Sequence, residues 1–519
     1  MDGRNQGERI CHDSPDQPAI IQAADGRSLT YRQVDTAMES AAALVRERIE
    51  PGRSVGILGE NSAAWIIAFY AVQRAGGVPV PISHRLPAQG MSFVADDADL
   101  AFAFADVAHR ELLERQGVET IPLELLHELT PRPFPSHRPR GDELAMILYT
   151  SGSTGQPKGV ELTQAGHLWV IDQSIVDNPG AHSRTLVSAP LYHMNALTNT
   201  QRLLASGGTI VLLPRFEPGA FLTAVERYRV SNLSGVPPMF AMLARHSGLR
   251  SRLDLTSVRR IAMASAPAAP ALFRQLGAWF PGAEITFGYG TTESGPIVFR
   301  GHPDGRPTPR GSVGTAHPAV DVRLVGADGR PVTGRGVLEV RTPALMKGYR
   351  KRPDIVPPVT ADGFHHTNDI FRVDDDGFYF FEGREDDVFS TGGENVYPRA
   401  VESVLEAHPA VAQAVVVGVP DEARGSKPVA FVTLSGAADA TEDDLKRHVL
   451  AHLEPFAHPR RVWIVTDIPL SPTNKPDRAR LTADALDRLG TAADGIPPRD
   501  GRPLPNPLPH PPSRPGAER

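Results

Sequence analysis

Between Tyr149 and Gly159 the chain reads Tyr-Thr-Ser-Gly-Ser-Thr-Gly-Gln-Pro-Lys-Gly, directly after the apolar run Ala145–Leu148. Gly152 and Gly155 let backbone N–H groups approach an anion. The hydroxyls of Thr150, Ser151, Ser153 and Thr154 add donors, and Lys158 adds positive charge. That chemistry suits a phosphate cradle. It is not a Walker A loop, because Pro157 stands where the second glycine belongs and Gly159 follows the lysine. A plain Gly/Ser/Thr connector is the competing interpretation. Two other groupings invite a metal assignment. Asp374-Asp375-Asp376-Gly377 reads better as a charged turn closed by glycine. His365-His366 lacks partners at suitable spacing and reads as a strand-edge pair.

The loop does not stand alone. Gly288-Tyr289-Gly290-Thr291-Thr292-Glu293, Gly363-Phe364-His365-His366-Thr367-Asn368-Asp369, Gly383-Arg384-Glu385-Asp386-Asp387 and Ser471-Pro472-Thr473-Asn474-Lys475 follow it in that order. Together these segments resemble the signature series of the adenylate-forming (AMP-dependent) synthetase/ligase superfamily. The match runs from Leu29-Thr30-Tyr31 to about Leu481. Phe389–Pro398, with Gly392-Gly393 inside it, resembles the acyl-CoA synthetase version of the segment after the hinge.

The resemblance implies a reaction in which a carboxylate oxygen attacks the α-phosphorus of ATP, pyrophosphate leaves, and the acyl-AMP is passed to CoA. Both reactants of the first step are anionic, so the site must neutralise charge and hold the atoms in line. By resemblance, Thr150, Ser151, Gly152, Ser153, Thr154, Gly155 and Lys158 hold the β- and γ-phosphates. Thr292 bonds the α-phosphate and Glu293 binds Mg²⁺, a hard cation that favours oxygen ligands. Tyr289, with Gly288, Gly290 and Thr291 around it, stacks on adenine opposite a wall of Ala264-Ser265-Ala266-Pro267. The family often has two glycines where Ala264 and Ser265 stand. Asp369 takes the ribose hydroxyls, with Arg384 nearby. Asn368 replaces a usual glycine, and Asn tolerates positive φ better than most residues. Lys475 bridges carboxylate and α-phosphate oxygens, and Gly392-Gly393 leave room for a pantetheine arm. His193, in Pro190-Leu191-Tyr192-His193, matches the family's aromatic–histidine segment at the acyl pocket, where it steers the carboxylate or gates the pocket; a packed histidine is the alternative.

The acid is expected to be medium-chain, aryl or otherwise apolar, because Tyr192–Leu197, Ser234–Met239, Met263–Ala266 and Gly288–Gly290 offer no single charged anchor. Three alternatives stay open: a carrier-protein thiol as acceptor, a non-thiol acceptor such as an amine, and a non-catalytic nucleotide-binding relative.

These residues need a scaffold. Val55–Leu58, Gly77–Val80 and Thr209–Leu213 read as strands, and Ala63–Ala75 and Ala220–Tyr228 as helices, which argues for parallel sheets covered by helices. After about Gly311 the pattern turns to hairpins, with Val322–Val325 and Val337–Val340 flanking Asp328-Gly329 and Gly334-Arg335-Gly336. From Arg399 to Leu486 a helix, two strands and a helix form a smaller α+β unit. The expected fold is therefore α/β. A large N-terminal domain of helix-covered sheets plus a β-rich subdomain spans 1–383, with a hinge at 384–387, a smaller mobile α+β domain at 388–490 and a Pro/Arg-rich disordered tail at 491–519. The 519 residues exceed one ordinary core. Formal charge is 54 − 60 = −6, without the basic excess of a nucleic-acid binder. Cys11 is the single cysteine, so no internal disulfide forms, in keeping with a cytoplasmic location. Gln73 and Arg74 interrupt the apolar Ala63–Ala75, which is too short to span a bilayer.

Overall fold

The structure is a computed structural model that describes residues 5–151, 157–177, 180, 182–243, 247–266, 268–352, 359–422, 424–435, 439–471 and 475–490. Two sheets carry the first half. In the larger, seven strands run in the order Glu284–Gly288, Arg260–Ala264, Asn232–Gly235, Arg184–Val187, Thr209–Leu212, Pro18–Gln22 and Ser28–Thr30. The pairs are parallel except the last. The smaller sheet is all parallel, ordered Val78–Ile82, Ser54–Leu58, Leu100–Ala105 and Thr120–Pro122.

The helix Ala63–Arg74 shows why these layers close. All twelve of its residues are buried, and the Ser62 side chain caps it by accepting from the Trp65 N–H. A helix apolar on every side belongs inside a layered domain. Its two polar residues are matched rather than solvated. Gln73 donates to Gln6 Oε1 at 2.6 Å and to the Ala145 carbonyl at 2.9 Å. Arg74 pairs with Asp35 at 2.5 Å and donates to the Gly7 carbonyl. The expected strands and helices of this half are present, each within a few residues.

The expected hairpin region is a seven-stranded antiparallel sheet, ordered Phe299–Arg300, Ser312–Ala316, Tyr379–Arg384, His365–Val373, Arg335–Arg341, Asp321–Val325 and Pro331–Val332. Asp374 closes its turn by accepting from the N–H groups of Asp376 and Phe378, so the aspartate run forms the expected glycine-ended turn. Among the described residues no group of three or more His, Cys, Asp or Glu could hold a metal ion. The C-terminal strands Phe389–Thr391, Glu394–Val396, Val411–Asp421, Gly425–Leu434 and Val462–Ile464 form one more sheet. The helices Pro398–Ala407, Glu442–Leu450 and Arg478–Gly490 complete that part of the chain. No helix of the described residues is long and apolar enough to cross a membrane.

Candidate active site

Parallel strands deliver ligand-binding groups at their carboxyl ends. Here Arg260–Ala264 and Glu284–Gly288 are neighbours in register, with Ala264 opposite Gly288. The expected adenine wall, Ala264 to Ala266, therefore leaves one strand beside the start of the Gly288–Glu293 segment. Ser265 has φ 70°, in the left-handed region. The family's glycine at this place is thus a conformational need, which serine meets at some cost. Asn368 has φ 59°, so it accepts the turn as expected. At Gly290 a side chain is excluded, since a Cβ would lie 2.5 Å from Pro296 Cα.

Tyr289 and Asp369 meet across the site. The Tyr289 hydroxyl donates to Asp369 Oδ2 at 2.5 Å, and Arg384 donates to Oδ1 at 3.2 Å. Burial raises the Asp369 pKa, and Arg384 and Tyr289 oppose that shift. A carboxylate has about four acceptor sites, so two remain for ribose hydroxyls. Phe371 supports the Tyr289 ring edge-on at 4.9 Å. A bridge between Thr291 and Gly295 pinches the turn that carries Thr292 and Glu293, and the Thr291 hydroxyl accepts from the Ser294 N–H at 2.9 Å.

The loop at 149–159 is the tip of an antiparallel hairpin, Leu144–Ser151 with Pro157–Thr163, in which Thr150 faces Lys158. Gly152, Ser153, Thr154 and Gly155 lie outside the described residues, as does Pro267; of Ser151 only the backbone is described. A third strand, Gly348–Tyr349, pairs with Pro157–Thr163. It brings a residue that motif reasoning missed. Tyr349 donates to Glu293 Oε1 at 3.1 Å, and the Lys158 ammonium stands 5.6 Å from its ring centroid. Burial, then Glu293, raise the Tyr349 pKa. An isolated tyrosine between Gly348 and Arg350 has no spacing signal; only the strand pairing exposes its role.

Lys475 arrives from the C-terminal part. Its loop is closed by the Ser471 N–H donating to the Lys475 carbonyl at 2.7 Å and by a bridge between Leu470 and Pro476. Burial lowers the Lys475 pKa, Asp369 raises it, Arg384 lowers it and Glu293 raises it. The side chain keeps access to water, so it lies in a cleft that surrounds it with protein without sealing it. Lys475, Asp369, Arg384 and Glu293 are thus within electrostatic reach of one another.

His193 precedes the helix Met194–Ser206 and lies edge-on to Tyr192 at 4.5 Å. Gly392 and Gly393, at φ 62° and 89°, make the two-residue turn of the hairpin Phe389–Thr391 and Glu394–Val396. They are exposed, and a Cβ built on either would meet nothing within 4 Å. His366 bonds Glu339 at 3.1 Å and Glu385 at 3.4 Å, partners too distant in sequence to be foreseen. Its strand lies inside the sheet, not at an edge.

The ends of two adjacent parallel strands, a buried carboxylate with acceptor sites to spare, and an ammonium on a loop of the C-terminal part fit an enzyme that activates its substrate with a nucleotide. Comparison with known proteins agrees. The family model described as AMP-binding enzyme matches residues 7–350, and that described as AMP-binding enzyme C-terminal domain matches 400–475. A feruloyl-CoA synthase of an Amycolatopsis species is 33% identical over 488 residues, covering 91% of this chain and 98% of that protein. The 4-coumarate–CoA ligase 2 of Oryza sativa subsp. japonica is 31% identical, covering 90% of each. The ATP-bound crystal structure of MatB from Rhodopseudomonas palustris superposes with a TM-score of 0.85 at 26% identity, over 94% of this chain and 100% of that one. The chain belongs to the AMP-binding enzyme family, in the acyl-CoA synthetase branch of the adenylate-forming superfamily. It is an AMP-forming acid–thiol ligase: it activates a carboxylic acid with ATP as acyl-AMP, releasing pyrophosphate, and transfers the acyl group to CoA.

Proposed function

We propose that the acid is an aryl acid of the hydroxycinnamate kind, and that Lys475 is the group that stabilises the adenylation transition state. The carrying observation is the convergence of Lys475, on a loop of the C-terminal part, with Asp369 and Arg384 of the antiparallel sheet and Glu293 beyond the end of the large sheet. Asp369 and Arg384 fix the ribose. Lys475 then faces the α-phosphorus, where negative charge builds as the carboxylate oxygen bonds to phosphorus and the bond to pyrophosphate breaks. Thr292 donates to the α-phosphate, and Thr150, Ser151, Ser153, Thr154 and Lys158 hold the outer phosphates. Glu293, held from one side by Tyr349, would offer its remaining acceptor capacity to Mg²⁺, a hard cation that favours oxygen ligands. When bound, the ion neutralises phosphate charge.

Support for the acid class comes from the names of the relatives, feruloyl-CoA synthase and 4-coumarate–CoA ligase. His193 steers the carboxylate from the start of its helix. For the second step, the part of the chain from about Asp387 onward rotates at Asp386 and brings Gly392-Gly393 to the adenylate, so the thiol attacks the acyl carbon and AMP leaves.

The test is ATP–pyrophosphate exchange over ferulate, 4-coumarate, benzoate, octanoate and malonate, with acyl-CoA measured in parallel. Ferulate or 4-coumarate should give the highest kcat/KM. A higher value with octanoate or malonate overturns the acid class.

A further inference from the structure

Lys475 reaches the nucleotide site only while the C-terminal sheet is docked in this orientation, so something outside the site must hold it there. The docking surface is small and identifiable. Val388 and Tyr397 pack on Val325, Val337 and Ile370 of the antiparallel sheet. Tyr397 precedes the helix Pro398–Ala407, which itself packs against the helix Pro270–Trp279 and the strand Tyr379–Arg384. Over the Tyr397 ring lies the Arg335 guanidinium, 4.6 Å from the centroid. Arg335 is not loose: its Nε donates to Glu382 Oε2 at 2.7 Å, and Arg372 holds the other oxygen of Glu382 at 3.4 Å.

We propose that Arg335, clamped by Glu382 onto the face of Tyr397, is a positioning residue for adenylation: it holds the C-terminal part in the orientation that places Lys475 beside Asp369 and Glu293. The assignment rests on Lys475 acting in the first half-reaction and on the rotation at Asp386. Tyr397 lies four residues after Gly393, on the segment that the rotation carries, whereas Arg335 and Glu382 stay behind. The contact therefore belongs to one orientation, and its energy biases the balance between the two. Burial and Glu382 act on Arg335 in opposite senses, and the net effect keeps the guanidinium charged.

Losing a cation–π contact made by a half-exposed guanidinium should move the balance about three- to fivefold, equivalent to roughly 0.7–1 kcal/mol. Arg335→Met is read by measuring both half-reactions of the full chain: ATP–pyrophosphate exchange, and thioester formation from supplied acyl-AMP and CoA. Where the lysine-in orientation dominates, thioester formation rises; where it does not, adenylation falls. In either case the ratio of adenylation to thioester formation drops about three- to fivefold. Arg335→Lys, which keeps a cation over the ring, should recover most of the ratio. An unchanged ratio, or equal loss in both half-reactions with Arg335→Met and Arg335→Lys alike, overturns the proposal and leaves Arg335 a structural residue. Lys475→Ala in the same assay separates the premises: if exchange survives that change, the assignment of Lys475 is wrong, whatever Arg335 does.

Discussion

Replacing Lys475 by alanine removes an ammonium that lies within electrostatic reach of two carboxylates, Asp369 and Glu293, and of the Arg384 guanidinium. Two consequences follow at different stages. In the ground state Asp369 and Glu293 lose a neutralising neighbour, so binding of the anionic triphosphate weakens and the KM for ATP rises. In the transition state a donor to the developing phosphoryl charge is gone. One such donor is worth about 10²–10³-fold in kcat, or roughly 2.7–4 kcal/mol. The expected loss in exchange kcat/KM therefore exceeds that of kcat alone. Thioester formation should be largely spared, because Lys475 has left the site by then. The assay pairs ATP–pyrophosphate exchange with conversion of synthetic acyl-AMP to acyl-CoA. Exchange within about threefold of the parent would refute the assignment, since no donor in a cleft of this charge is worth so little.

The remaining expectations are narrower. Asp386 lies in the 3₁₀ turn Glu385–Asp387, where its carboxylate accepts from Arg384 at 3.1 Å; proline's φ of about −65° suits such a turn. Asp386→Pro should keep pyrophosphate release in a single turnover but form thioester slowly, and rapid-quench data with equal loss of both products would remove the hinge. Burial depresses the Lys475 pKa, and the charged form is the active one. The kcat/KM for ATP should accordingly fall as pH rises through a value below the ordinary lysine range, and Lys475→Arg should abolish that alkaline limb. Arg399 is buried between Glu402 at 3.5 Å and Glu406 at 2.9 Å. Arg399→Met leaves Glu406 buried without its cation, while Glu402 keeps Arg478, and should cost about 3–5 kcal/mol in urea unfolding of the C-terminal part, with a change under 1 kcal/mol counting against it.

Sequence patterning exposed what repeats a local rule. The strand–helix alternation, the aspartate turn and the nucleotide segments were legible because composition and spacing carry them. Asn368 was legible for the same reason: a polar residue tolerant of positive φ stands where the turn needs one. Ser265 was only half legible. The departure from glycine was visible, but its left-handed backbone was not, because serine does not announce that conformation. Residues that act across strands were hidden. Tyr349 reaches Glu293 through a strand pairing, and His366 finds Glu339 and Glu385 at separations of 27 and 19 residues. Neither distance leaves a periodic trace.

The helix Pro398–Ala407 carries the most misleading pattern. Arg399, Glu402 and Glu406 put three charges on one short helix, a pattern that ordinarily faces water, yet Glu402 and Glu406 are 2% and 4% exposed. They begin a run of ion pairs that leads back to the nucleotide site. Glu402 takes Arg478 at 2.7 Å, Arg478 faces Asp387 at 3.5 Å, and one residue earlier Asp386 takes Arg384, which holds Asp369. Arg478 also donates to the Val416 carbonyl at 2.6 Å. Glu402 and Asp369 are buried, whereas Arg478, Asp387, Arg384 and Asp386 are partly exposed. Pairs of this kind add little net stability, because desolvation or solvent screening offsets most of the attraction. Their effect is geometric: the buried carboxylates at the two ends tolerate few positions. Arg478 stands three residues after Lys475 at the start of a helix, so holding its guanidinium also holds the root of the loop that carries Lys475. The same run reaches Asp369 at one end and passes through Asp386 and Asp387 in its middle. If Asp386 is the hinge proposed above, one run of charges ties the placement of Lys475 to the residue about which it would swing.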